Sequence, residues 1–235
     1  MYKSCICLLL LISMDTAVYP QNNGVVVGGK WADQVSITDV NGRPFANRFE
    51  DVTGTPYFLA SYKYADMTLK QGRKFVQVKT KINLVTQETV FESSNGAEGY
   101  LEAGMVKEIT FSDTTETGIT AYKFQTGFPA VDRQSDKNFY QVFAEGKCGY
   151  FKSIVKKVIE RKNELSGEAA KEFETTENYY LFVKGEMKRW KRNKESVLNE
   201  LTDKQVQVNQ FVLQNKTDFR NPEQVSKLLN YYNTL

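Results

Sequence analysis

The sequence predicts an α+β protein: an antiparallel, curved or partly closed β-sheet from about residue 24 to 190, followed by a C-terminal helical tail. Two observations carry this. Val, Thr, Phe and Tyr dominate from Gly24 to Phe151, with Gly and Asn turn signals at short intervals and no helical pattern between them, the mark of a meander rather than a parallel sheet. The last 40 or so residues then change to helical spacing of apolar side chains.

The elements follow in order. Val35 to Val40 reads as a strand. Met67-Thr68-Leu69 and Phe75 to Ile82 flank Gln71-Gly72, a tight hairpin turn. In the second strand Val76, Val78 and Ile82 take one face and Gln77, Lys79 and Lys81 the other, as in a half-buried antiparallel strand. Thr86-Gln87-Glu88 separates it from Thr89 to Glu92, and further strands are expected at Val106 to Phe111, Ala121 to Phe124 and Phe139 to Phe143. Beyond Tyr150 the composition turns to Lys, Glu and Asn, and about 152–177 is expected to be a polar helical or loop insertion. Tyr179 to Val183 reads as one more strand, turning at Lys184-Gly185-Glu186 into Met187 to Trp190.

Helices are expected near 195–216 and 222–232. Thr202-Asp203-Lys204-Gln205 has capping-box spacing, and Asn221-Pro222 places an N-cap before a proline whose missing N–H removes no helical bond. Val225, Leu228, Leu229 and Tyr232 then form an i, i+3, i+4, i+7 stripe that needs a partner. The tail, 191–235, is therefore expected to pack on the sheet of the β-rich domain, 21–190.

Residues 1–20 read as a signal peptide, with Lys3 as the positive start and Cys5 to Met14 as the apolar core. That core is too short for the ~20 apolar residues of a bilayer span, so no transmembrane span is expected in the mature chain. Cleavage near Ala17 or before Gln21 leaves Cys148 as the only cysteine, which excludes an internal disulfide. The expected address is exported: periplasmic or extracellular, either free or membrane-associated.

Function is bounded mainly by exclusion. The 235 residues contain no histidine and carry a net charge of +3, so Ser-His-Asp, Cys-His and HExxH chemistries are impossible. Gly24 to Lys30 fits G-x-x-x-x-G-K, but Trp31 stands where a phosphate loop needs Ser or Thr. Ser153-Ile154-Val155-Lys156 matches S-x-x-K without the accompanying motifs. Cys148 lacks a histidine partner and reads as a small, partly buried side chain in a Gly-Lys-Cys-Gly turn. Carboxylates in expected loops, Glu50, Asp51, Asp113, Glu116, Asp132 and Asp136, are the remaining acid/base candidates and read as solvated charge. No catalytic, cofactor or metal residue is assigned.

One cluster stands out. Lys188, Arg189, Trp190, Lys191 and Arg192 combine cations with an indole, a combination suited to an anionic surface such as lipid head groups. The competing reading makes Trp190 part of the core and the cations solvated. Export disfavours nucleic acid as a partner.

Gly54-Thr55-Pro56-Tyr57, the segment Met67 to Phe91, Phe139-Tyr140 with Gly146, and the ending Leu228 to Asn233 resemble a family of uncharacterised exported β-rich proteins of Gram-negative bacteria. The resemblance covers most of the mature chain and implies a cell-envelope address and a β-rich fold, with no activity to carry over. The expected function is thus that of an exported, non-catalytic envelope protein that binds or scaffolds, with an envelope protein or anionic lipid as partner. Two alternatives are a carrier of lipid or another amphiphile in a curved sheet and a histidine-free hydrolase using carboxylates.

Overall fold

The computed structural model describes residues 25–27, 49–93, 96–115, 118–162 and 168–235. The expected signal peptide and the strand expected at Val35 to Val40 lie outside them, as does most of the Gly24 to Lys30 motif. The fold is α+β, with one open 12-stranded sheet and C-terminal helices. Among the described residues no helix is long and apolar enough to cross a membrane.

The strands are β1 (Val25–Val27), β2 (Val52–Thr53), β3 (Lys63–Leu69), β4 (Lys74–Ile82), β5 (Thr89–Glu92) and β6 (Glu98–Leu101). They continue as β7 (Val106–Thr115), β8 (Gly118–Gln125), β9 (Tyr140–Ala144), β10 (Cys148–Lys162), β11 (Ala169–Val183) and β12 (Glu186–Arg189). Two antiparallel wings, β3 to β6 and β7 to β12, meet where β3 pairs with β7. β1 and β2 add short parallel pairings, to β4 and β11 respectively. The ends of the sheet, β6 and β12, do not pair with each other, so the sheet is not closed.

Two strand expectations need correction. In β4 the core-facing residues are Phe75, Val78, Thr80 and Ile82, while Val76 is only half-buried. The cause is a bulge: Ala65 pairs with Val78 but Met67 with Phe75, and Gln77 takes φ 53° with its N–H donating to Asp66 Oδ1 at 2.9 Å. An extra residue in one strand reverses which side chains face inward beyond it. The polar insertion expected at about 152–177 is instead the distal part of a long hairpin, in which all 15 residues of β10 pair with β11, Cys148 with Val183 through Lys162 with Ala169. Its outer half is exposed on both faces, so no apolar alternation marks it.

The tail comprises α1 (Lys194–Leu198), a 3₁₀ turn at Thr202–Lys204, α2 (Gln205–Asn215) and α3 (Pro222–Asn233). Asn221 caps α3 as expected, its Oδ1 accepting from Glu223 N and Gln224 N. Val225, Leu228 and Leu229 are fully buried and Tyr232 nearly so. The Thr202 capping box does not form: α2 starts at Gln205 after Lys204, with no side-chain cap.

Side chains alternate across β10 and β11. On one face Tyr150, Tyr179, Leu181 and Val183 pack with Trp190 and the three helices. On the other Tyr140, Phe151, Tyr180 and Met187 pack under Phe128 and Val131. A third cluster, around Phe75, Ile82, Ile109, Phe111 and Phe124, spans the junction of the two wings, from β4 to β7 and β8.

Cys148 opens β10 fully buried rather than partly buried in a turn, and burial pushes its thiol up to about 12. Tyr140 is likewise pushed up to about 12 by burial. Both groups hold their protons in the folded chain after the unfolded chain has lost them. Their stabilisation is therefore complete below the ordinary thiol value of 9.0 and is lost as pH rises from there toward about 12. Urea midpoints should fall across this window, and Cys148→Ala should flatten the first part of the decline. In the folded state at pH 8, Cys148 should not react with a thiol reagent until urea unfolds the chain.

Candidate functional site

The face of β10 and β11 turned away from the helices is only partly covered. A loop from Thr126 to Phe139 lies over its inner, aromatic end, where the Phe128 ring contacts those of Tyr140, Phe151 and Phe182. The loop is tied down at several points. Thr126 Oγ1 donates to Val106 O, Phe139 N to Gln87 Oε1, and Lys70 pairs with Asp136 at 3.3 Å. Within it Val131 and Gln134 exchange backbone hydrogen bonds, N to O at 3.1 and 2.9 Å. This tight turn puts Asp132 and Arg133 at its tip, with Asp132 in the left-handed region at φ 52°, an uncommon conformation for a residue other than glycine.

Outward of the loop, a cleft of about 670 Å³ opens on the same sheet face. Its floor comes from alternate residues of paired strands, Val155 and Lys157 on β10 and Thr176, Asn178 and Tyr180 on β11, with Arg189 of β12 opposite Tyr180. The loop supplies the wall: Asp132, Arg133, Gln134 and Asn138. Floor and wall are joined by polar contacts. Tyr180 OH donates to Asp132 Oδ2 at 2.8 Å, and Arg189 Nη1 lies 3.9 Å from the same oxygen. Arg189 Nη2 also donates to Asn178 Oδ1. Burial and then the bond to Asp132 hold the Tyr180 phenol far above its ordinary value, so it remains a donor.

The charge is unbalanced. Arg133, Lys157 and Arg189 face one carboxylate, Asp132. Arg133 and Lys157 have no ion-pair partner among the described residues, although Glu174 stands opposite Lys157 in register. A concave site with surplus cations concentrates its field on an incoming anion. Gln134 Oε1, at the cleft wall, is buried without a hydrogen-bond partner among the described residues, as are Tyr140 OH and Ser153 Oγ on the same sheet face.

The five residues expected to touch an anionic surface are separated by this arrangement. Trp190 is 4% exposed and is corrected to a core residue: it follows β12 onto the helix side, where the apolar indole is removed from water. Lys188 donates to both carboxylate oxygens of Glu200, at 2.9 and 3.0 Å. Arg192 lies over the Tyr179 ring at 5.0 Å. Lys191 is exposed. Arg189, on the opposite face from Lys188, joins the cleft. Of the loop carboxylates, Asp132 enters the cleft and Asp136 is tied to Lys70, while Asp51 is exposed and paired with Lys171. Among the described residues no three Cys, Asp or Glu side chains converge as a metal site.

The sequence reading missed Arg133, Gln134, Asn138, Lys157, Thr176, Asn178 and Tyr180. The signal that could have found the last three is their i, i+2, i+4 spacing, which places them on one face once β11 is read as a strand through 176. Compared with family models, curated proteins and solved structures, the chain finds no match.

Proposed function

We propose that this chain is an exported, non-catalytic binding protein of the cell envelope, and that its ligand is a small polar molecule held in the cleft between the Thr126 to Phe139 loop and the β10–β11 hairpin. The observation that carries the proposal is the lining: Val155 is its one aliphatic side chain, and the rest are charged, amide or hydroxyl groups. The volume of about 670 Å³ is within the range of small-molecule sites.

The same lining disfavours the alternatives. A lipid tail gains from apolar walls and would leave the cleft's amides and cations desolvated without partners. A glycosidase-type mechanism needs two carboxyl groups about 5 to 9.5 Å apart, whereas Asp132 is the one carboxylate among the lining residues.

Two measurements test the proposal. The intact mass of chain recovered from the envelope should correspond to cleavage near Ala17 or before Gln21; recovery solely as an unprocessed cytoplasmic protein would overturn the address. Native mass spectrometry of the envelope-purified protein should show a small-molecule adduct that Thr176→Trp removes. Thr176 is exposed on the cleft floor, and a tryptophan there suits a strand while filling the space a ligand would occupy. Ligand occupancy should fall at least tenfold with the urea midpoint unchanged. A bare wild-type protein, or an adduct equally abundant in the variant, would refute the cleft as the site.

A further inference from the structure

Resting on the cleft as the binding site, we infer that its ligand is a small polycarboxylate, and that Asp132 is an internal carboxylate already occupying one of the ligand's positions. The Asp132 carboxylate sits where an incoming one would be recognised, accepting from Tyr180 OH at 2.8 Å with Arg189 3.9 Å away. A hydroxyl donor beside a guanidinium is a charge-assisted carboxylate site. It is occupied from within by a residue on a two-residue turn in the left-handed conformation.

One internal carboxylate does not balance the site. Arg133 and Lys157, on the wall and floor, have no ion-pair partner among the described residues, so a ligand with two or three carboxylates can engage them while approaching or displacing Asp132. Arg133 adds a planar fork and Lys157 a compact point charge. The amides of Asn138 and Asn178 supply neutral donors around them. A monocarboxylate would use only part of this set.

The consequence is unusual: neutralising a carboxylate in the site should strengthen binding. Calorimetric titration of the full chain with citrate at low salt is the test, with acetate and inorganic phosphate in parallel at matched ionic strength. Wild type should bind citrate, with acetate at least tenfold weaker. Asp132→Asn keeps the side-chain shape and the acceptor for Tyr180 but removes the competing charge, and should bind citrate roughly five- to tenfold more tightly. Arg133→Ser and Lys157→Gln change exposed side chains, and each should weaken binding by a similar factor without moving the urea midpoint.

Citrate affinity unchanged or lowered by Asp132→Asn would overturn the inference, as would equal binding of citrate and phosphate. The failures are distinguishable. If Thr176→Trp strips the envelope-derived adduct but wild type ignores citrate, the cleft remains the binding site and the polycarboxylate assignment falls. If citrate binds Thr176→Trp as well as wild type, its site is elsewhere and the assignment also falls.

Discussion

Replacing Trp190 with alanine should cost about 3–5 kcal/mol of folding stability, read as a fall in the urea midpoint. That is a large share of the roughly 5–15 kcal/mol holding a typical domain together. The indole stands edge-on to the Tyr150 and Tyr179 rings at 5.5 and 5.7 Å, and belongs to the same buried cluster as Leu181, Val197 and Leu201. It therefore joins the end of β12 to the helical tail. Its Nε1 is buried without a hydrogen-bond partner among the described residues, so Trp190→Phe loses volume but no such hydrogen bond and should retain more than half of the lost stability. Lys191→Glu, at the exposed next position, should leave the midpoint in place. A stable, cooperatively folding Trp190→Ala protein would instead make the indole a surface group, as the basic cluster alone suggested.

The α3 helix was legible because its signals are local. Asn221-Pro222 and the Val225, Leu228, Leu229, Tyr232 stripe need only the helical period to be read, and both are realised. The capping box at Thr202 was equally local but is not realised: the segment turns as a 3₁₀ element, in which Asp203 accepts from the Tyr232 hydroxyl at 2.8 Å. The long hairpin was not legible. Alternation marks a strand only where one face is buried, and from Lys157 outward β10 carries Glu160, Arg161 and Lys162 in water on both sides. Charge on an outer strand discourages unwanted pairing, and it also made the segment read as loop.

The cleft was less legible than either. Its wall lies at 132–138 and its floor at 155–189, and only the register of β10, β11 and β12 brings them together. Asp132 was visible as a loop carboxylate and Arg189 as part of a basic run, but neither neighbourhood in sequence names the other. The basic run itself was misleading in one respect. Successive residues of β12 face opposite sides, so Lys188 meets Glu200 near the helices while Arg189 reaches Asp132 in the cleft.

The second large effect is expected at Asn233, near the end of α3. Its amide acts as a missing strand partner for the β9–β10 turn: Nδ2 donates to Glu145 O and Cys148 O at 2.9 Å each, while Oδ1 accepts from Cys148 N at 2.9 Å. Asn233→Ala removes all three bonds and leaves groups at the buried start of β10 unsatisfied, a loss of about 2–3 kcal/mol in a urea titration. Asn233→Asp should be worse, because it substitutes an oxygen for the donor and turns it toward two carbonyls. The turn itself is shaped for this contact. Gly146 has φ 137°, and a Cβ there would lie 2.7 to 2.9 Å from Asn233 side-chain atoms. Gly146→Ala should therefore destabilise through both backbone strain and this clash. The two positions should also couple: once Asn233 is alanine the clash is partly relieved, so the double variant should lose less than the sum of the single losses, by more than the ~0.5 kcal/mol scatter of independent sites. Strict additivity would mean that Asn233 does not clasp the turn.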